Sequence, residues 1–323
     1  MAQWIAADIP DLTGRTAVVT GANSGLGFET SRALAQCGAT VVMACRDDAR
    51  CGAAVDRLRT LVPSARVESA RLDLADLDSV RTFADDVSSR HTALDILVNN
   101  AGVMAPPKRF VTKQGFELQF GTNHLGHFAL TGLLLPLLLR ATGSRIVTVS
   151  SMSYQSGDMN FDDLQHQRDY TPYGAYSDSK LANLLFMLQL DEALGRASLD
   201  TISVAAHPGL AKTHLQAAGP FLGSKPLSSR LVLGAVKLIG QPAARGAEPQ
   251  IYAATAPDVE AGNYFGPKSG WRGPAVLTRI WSKARDADVA ARLWDVSKDL
   301  TGVDIDKVIA DRCAERSAPS RAE

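Results

Sequence analysis

Short apolar runs rich in Val, Ile and Ala recur along the first two thirds of the chain. They are TAVVT (16–20), ATVVMAC (39–45), RVESARLDL (66–74), LDILVNN (94–100), SRIVTVSS (144–151) and TISVAAH (201–207). Longer stretches with helical patterning separate them. The spacing predicts helices over about 24–37, up to 62 where Pro63 ends the turn, 77–89, 113–140, 173–194 and 243–254. Strands that are apolar on both faces and alternate with helices belong to a parallel sheet covered on both sides. Right-handed crossovers then lead to a doubly wound sheet.

A further short strand at 263–265 would close the sheet at about seven strands. The expected fold class is therefore α/β, a Rossmann-type doubly wound parallel sheet. The 323 residues allow one large domain or two small ones. No linker or internal repeat interrupts them, so a single domain is expected over 1–323. Within it, about 12–265 forms the nucleotide-binding and catalytic core. About 208–240 reads as an apolar lid over the substrate, and about 270–323 as a C-terminal extension carrying the amphipathic segment DADVAARLWDVSKDL.

Lys plus Arg and Asp plus Glu both number 34, so no overall field draws in nucleic acid. Cys37, Cys45, Cys51 and Cys313 make no C-x-x-C pair and read as thiols of a reducing compartment. The first residues lack a basic stretch followed by an apolar run. The most apolar stretch, FALTGLLLPLLL (128–139), is shorter than the ~20 residues that span a bilayer. No integral membrane segment is expected, and a cytoplasmic location follows as the expectation.

The turn after the first strand reads Thr20-Gly21-Ala22-Asn23-Ser24-Gly25-Leu26-Gly27. Glycines there tolerate positive φ and let backbone N–H groups and a helix N-terminus approach a pyrophosphate. Any tight strand-to-helix turn can use glycine, but this one has a strand before it and a helix after it, as a nucleotide site requires. The end of the second strand bears on the choice of nucleotide. A carboxylate there binds the ribose hydroxyls of NAD. This strand ends Ala44-Cys45-Arg46, and a guanidinium suits a 2′-phosphate, so NADP(H) is favoured with NAD(H) as the alternative. A surface arginine opening a helix is the plainer reading, and Asp47 and Asp48 follow at once.

Tyr176 and Lys180 lie four residues apart on an expected helix, hence on one face. An ammonium beside a phenol favours the phenolate and suits the tyrosine to proton exchange with an alcohol or carbonyl oxygen. Taken alone, the pair reads equally as two surface residues. The fifth strand ends in Ser150 and Ser151, where ligands of parallel sheets sit. Strand alternation directs only one of these hydroxyls inward.

Together, Gly21-x-x-x-Gly25-x-Gly27, Asn99-Asn100-Ala101-Gly102, Ser151 and Tyr176-x-x-x-Lys180 resemble the short-chain dehydrogenase/reductases of the non-extended type. The resemblance covers about 12–265. ACRD, TNHLGHF, HPG and LWDVSKDLTG are more narrowly similar to the retinol-dehydrogenase-like branch and its bacterial relatives. The resemblance implies Tyr176 as the acid/base, with Lys180 lowering its pKa and binding the nicotinamide ribose. Ser151 would orient the substrate oxygen, and Asn123 would hold a water joining Lys180 to solvent. Read by itself, Asn123 is a satisfied helix-interior asparagine. Gly21, Asn23, Ser24, Gly25, Leu26 and Gly27 would cradle the cofactor phosphates. Asp73 and Leu74 would flank the adenine. Asn100, Ala101 and Gly102 would line the ribose, and Pro208, Gly209 and Thr213 would meet the nicotinamide amide. Homo-oligomers in this family pair through the helices carrying Asn123 and Tyr176.

His124 and His127 lie three apart with no third ligand evident, and read as packed histidines rather than a metal site. No G-x-S-x-G supports a hydrolase. The expected activity is NADP(H)-dependent interconversion of an alcohol and a carbonyl on a lipophilic small molecule. A catalytically idle nucleotide-binding sensor or scaffold, and an epimerase or dehydratase on the same fold, stay open as alternatives.

Overall fold

The computed structural model describes residues 4–211 and 240–317. These form one eight-stranded sheet in the order β3-β2-β1-β4-β5-β6-β7-β8. The strands are β1 (Thr16–Thr20), β2 (Thr40–Cys45), β3 (Arg66–Arg71), β4 (Ile96–Asn99), β5 (Arg145–Val149), β6 (Ile202–Ala206), β7 (Tyr264–Pro267) and β8 (Ala275–Leu277). All pairings are parallel except β7 with β8. β1–β7 make up the expected parallel sheet of about seven strands, and β8 adds an antiparallel edge. The eighth joins through a short hairpin that turns back at Gly270 and Gly273, both at positive φ. Its sequence is too short and too exposed for hydrophobic alternation to reveal it.

The strand order places the first crossovers outward from β1 to β3, then reverses to β4. That reversal opens a crevice at the C-terminal ends of β1 and β4. Alternate residues of β1 enter opposite cores. Ala17 and Val19 pack with α1 (Gly25–Gln36) and α2 (Asp48–Leu61), while Val18 packs with α3 (Leu77–Arg90) and α4 (Gly126–Leu138). Two helices further along the chain, α5 (Pro172–Arg196) and α6 (Ala243–Thr255), complete the two layers.

One helix differs from its expected bounds. Residues 113–117 do not begin it: Gly115 takes φ +88°, and Val111 pairs with Glu117 in an antiparallel bridge. The chain then enters a π-helical turn, Phe120–Leu125, before α4. Glu117 is fully buried, its carboxylate accepts the amide of Phe120, and burial raises its pKa.

After β8 come α7 (Ala287–Thr301) and α8 (Ile305–Ser317). Trp294 of α7 meets Phe128 edge-on at 5.3 Å and stacks on Phe186 at 6.0 Å. Ser297 donates to Leu293 O, so the proton shared with His124 belongs to His124 Nε2, 2.8 Å away. The Gly132 Cα faces Val303 and Ile305, where any Cβ would collide. The helix face expected to pair with another copy is therefore occupied, in part, by this chain's own C-terminal helices. Among the described residues no helix is long and apolar enough to cross a membrane.

Candidate active site

β1 delivers the chain into the glycine turn, and backbone conformation dictates the residues there. Gly21 and Gly25 hold φ +65° and +57°. A Cβ on Gly27 would strike the Gly21 carbonyl and come 2.7 Å from Asn100 Nδ2. The amide of Gly21 donates to Ala44 O at 2.8 Å, tying the turn to β2. Ser24 is the N-cap of α1, yet its side chain caps no amide. The N-terminal amides of α1 thus lie beside partly exposed Asn23, Ser24, Gly25 and Leu26, the arrangement that suits a pyrophosphate. The residues present fit a dinucleotide.

Thr20 closes the other side of this turn. Its hydroxyl accepts the amides of Asn100 and Ala101, both at 2.9 Å. Asn100 Nδ2 donates to Thr20 O at 2.7 Å, and its Oδ1 accepts from Gln250 Nε2 at 3.2 Å. The Asn100 side chain therefore braces the turn from within. Ala101 and Gly102 stay partly exposed at the end of β4. A Cβ on Gly102 would sit 3.0 Å from Asn123 Oδ1 and 3.7 Å from Lys180 Nζ.

Arg46 is exposed immediately after β2, while Cys45 is buried. The Asp47 carboxylate caps α2 by accepting the Arg50 amide and pairs with the Arg50 guanidinium. Asp73 turns its carboxylate back onto the Ala75 amide, and Leu74 is buried with its carbonyl against Gly126.

Ser150 and Ser151 are separated by their partners. Ser150 is buried and donates to Lys180 O at 2.8 Å. Ser151 is half-buried, lies 3.1 Å from Ser153 Oγ, and is near enough to the Tyr176 phenol to favour its ionised form. Alternation at the strand end gives Ser151 the face shared with Tyr176. The helix α5 begins at Pro172, with the Thr171 hydroxyl capping the Gly174 amide. Tyr176 and Lys180 follow on one face, only 6% and 3% exposed.

Burial governs both groups. It pushes the Tyr176 phenol up to about 12 against the opposing pull of Ser151, with Tyr173 adding to the rise. It pulls the Lys180 ammonium down to about 8. Removal of water from the site is the main cause of both shifts. Lys180 Nζ lies 5.7 Å from the Tyr176 ring centroid and donates instead to Val149 O at 3.1 Å. Desolvation of the phenolate outweighs the pull of the Ser151 hydroxyl.

Asn123 lies in the π-helical turn, wholly buried. Its Oδ1 accepts the Val103 amide at 2.8 Å, and its Nδ2 donates to Val103 O and to Ser179 Oγ. Ser179 in turn donates to Tyr176 O at 2.7 Å. One Asn123 amide hydrogen thus holds Val103, and the other braces the segment between Tyr176 and Lys180.

At the end of β6, Gly209 takes φ +61° and its amide meets His207 Nδ1 at 3.3 Å. Pro208 O accepts from Gln241 Nε2. Thr213 and nearly all of the expected lid, 212–239, lie outside the described residues. His124 and His127 are sealed among aromatic and aliphatic side chains. Burial lowers them to about 3 and about 4.

Several groups at the site carry no signal in the sequence. Gln250 reaches Asn100 across 150 residues. Thr20, Ser179 and His127 sit inside the quoted motifs, but only the fold shows that Thr20 bonds His127 and that Ser179 bonds Asn123.

The chain resembles known proteins over most of its length. The family model for short chain dehydrogenases matches residues 15–219. Retinol dehydrogenase 14 of Mus musculus is 41% identical over 303 residues, 90% of this chain and 86% of that protein. Retinol dehydrogenase 13 of Homo sapiens is 40% identical, covering 92% and 87%. An uncharacterized protein of Mycobacterium paratuberculosis, known as a crystal structure, superposes with a TM-score of 0.78 at 41% identity, covering 94% and 99%. A short chain dehydrogenase of Shigella flexneri complexed with NADP shares the fold at a TM-score of 0.60 and 21% identity, covering 79% and 98%.

Proposed function

The chain belongs to the short-chain dehydrogenases, oxidoreductases that act on CH–OH groups with NAD(P), and from that premise we propose an NADP(H)-dependent enzyme that interconverts a lipophilic alcohol and its carbonyl compound. The observation that carries this reading is one convergence. The Ser151 hydroxyl at the end of β5 and the Tyr176 phenol on α5 meet beside a buried Lys180.

When bound, the nicotinamide supplies or accepts the hydride. The chain's residues do the rest. Gly21, Asn23, Ser24, Gly25, Leu26 and Gly27 hold the diphosphate on the α1 N-terminus. Arg46 holds a 2′-phosphate, and no carboxylate stands at position 45 to repel it. Asp73 and Leu74 flank the adenine, Asn100, Ala101 and Gly102 line the ribose, and Pro208, Gly209 and Thr213 meet the carboxamide.

Ser151 donates a hydrogen bond to the substrate oxygen and orients it toward Tyr176. With its pKa pushed up to about 12, Tyr176 is protonated at neutral pH and is set to give its proton to a carbonyl oxygen during reduction. In oxidation it takes that proton back. Lys180 holds the ribose and favours the phenolate as the proton leaves. Asn123 fixes the helix segment that carries both, and in this reading also holds the water that returns protons to Lys180.

Two features support a lipophilic substrate. The relatives at about 40% identity are named for retinol, a lipophilic alcohol. Exposed apolar side chains also lie on segments that border the site. The test is titration of the protein with NADPH and NADH, followed by a panel of aldehydes and ketones with Tyr176→Phe as control. The variant is expected to bind NADPH within about twofold of wild type and to lose about 10²–10⁴ in turnover. Full activity in the variant would remove Tyr176 from the reaction. Substrate conversion without net cofactor turnover would favour an epimerase or dehydratase.

A further inference from the structure

Three large apolar side chains stand exposed on three segments that border the Ser151–Tyr176 site. Met152, 41% exposed, directly follows Ser151. Tyr173, 57% exposed, lies one helical turn before Tyr176 on the same face and close enough to affect its ionisation. Trp271, 62% exposed, lies in the turn between β7 and β8. Scattered exposed apolar residues are ordinary, but three of them on segments that border one polar pair are not demanded by folding.

The β7–β8 turn is fixed against both sides of this site. Trp271 O accepts the Leu210 amide at 2.8 Å, and a Cβ on Gly209 would collide with that carbonyl. Gly270 faces the Met152 thioether, where a Cβ would make contact at 3.5 Å. Gly273 N meets Gln241 Oε1, and the same Gln241 amide donates to Pro208 O. Within the turn, the Ser269 hydroxyl donates to Arg272 O and accepts the Arg272 amide. The backbone of Trp271 is therefore held in place while its indole stays exposed. That is the economy of a preformed binding wall, since little freedom remains to be lost when a ligand packs on it.

We propose that Trp271, with Met152 and Tyr173, forms an apolar collar for the chain of the substrate, and that Trp271 determines preference for long aliphatic or polyene chains over short ones. The proposal rests on the alcohol–carbonyl reading of the Ser151–Tyr176 site. An aldehyde carbon placed at those hydroxyls would lead its tail past Met152 toward the hairpin. A chain of two or three carbons would end before reaching it. Trp271 then contributes to binding of long substrates and is neutral for short ones.

The experiment compares wild type, Trp271→Ala and Trp271→Phe in two measurements. The first is kcat/KM with NADPH for propanal and octanal. The second is calorimetric binding of 1-octanol to the protein with NADP+, which needs no turnover. Trp271→Ala is expected to lower kcat/KM for octanal by about tenfold or more, equivalent to ~1.4 kcal/mol, and to change propanal by less than about twofold. Octanol should bind about tenfold more weakly, with Trp271→Phe recovering most of the loss. The NADPH dissociation constant should not move, because the backbone contact to Leu210 is kept. Equal losses for both aldehydes, or unchanged octanol binding, would overturn the proposal. Absence of wild-type turnover with every carbonyl tested would instead count against the alcohol–carbonyl reading, and octanol binding would still decide whether Trp271 forms the wall.

Discussion

Thr20 Oγ1 stands 2.9 Å from His127 Nε2, and the direction of that hydrogen bond is fixed by its neighbours. His127 Nδ1 faces the carbonyl of Asn123 at 2.9 Å and must donate. In the neutral ring Nε2 then accepts, so the Thr20 hydroxyl gives it its proton while receiving the amides of Asn100 and Ala101. One buried imidazole thus connects the glycine turn to the π-helical turn that carries Asn123. The two halves of the site are joined through a group that works only when neutral.

That dependence sets a response to acid. Burial holds His124 at about 3, His127 at about 4 and His207 at about 4, against about 6.5 in the unfolded chain. The unfolded state binds protons first, so this stability is present above pH 6.5 and is lost as pH falls toward 3–4. At pH 5 each histidine withdraws about 2 kcal/mol by linkage, at ~1.36 kcal/mol per pKa unit. Thermal unfolding followed from pH 7.5 to 5 should show Tm nearly level to about pH 6.5 and falling below it. A constant Tm across it would contradict the buried neutral histidines.

Lys180 works in the same sense at higher pH. Its folded pKa of about 8 lies below its ordinary 10.5, so holding the charge inside destabilises the fold below pH 8. The penalty is relieved as pH rises from about 8 to about 10.5. Lys180→Met removes the charge, and Val149 O keeps Asn183 Nδ2 as a partner at 3.1 Å. The variant should therefore be more stable at pH 7 by about 1–3 kcal/mol while losing turnover, as expected where an active site sacrifices stability. Urea denaturation of the protein without cofactor reads the difference. A less stable variant would refute the account of Lys180 as a desolvated cation.

Arg46 should distinguish the two pyridine nucleotides. Replacing it with Ala removes a guanidinium suited to a phosphate and touches no packed group, since the residue is exposed. NADPH affinity is expected to drop by about 10–100-fold, the range of a hydrogen-bonded charge pair. NADH affinity should stay within about twofold. Fluorescence titration of both nucleotides gives the ratio, and equal weakening of both would place the 2′-phosphate elsewhere.

Trp294 anchors the C-terminal helices. It packs on Phe128 and Phe186, and its indole donates to Asp306 Oδ2 at 3.0 Å. Trp294→Ala is expected to destabilise the protein by about 3–5 kcal/mol, the range for a large buried aromatic. It should also uncover apolar surface on α4 and α5. Increased self-association by light scattering would accompany the lower Tm. A variant that stays as stable as wild type would show that α7 packs there without contributing to the fold.

Much of this protein was legible in its residues. The alternation of TAVVT, ATVVMAC, LDILVNN and SRIVTVSS with helical stretches determined a parallel sheet, because strands buried on both faces read as continuous apolar runs. The glycines at 21, 25 and 27 announced their turn, since positive φ and close approach admit little else. Tyr176 and Lys180 announced a shared face through helical spacing alone. What only the tertiary structure decided depends on contacts distant in sequence or on the surrounding dielectric. Ser150 and Ser151 are equivalent as letters, and α5 packed across β5 gives them different partners. The ionisation of Tyr176 and Lys180 follows from how completely the fold removes water, which spacing does not encode. The eighth strand, and with it the place of Trp271, arises from a three-residue pairing too short to leave a periodic trace.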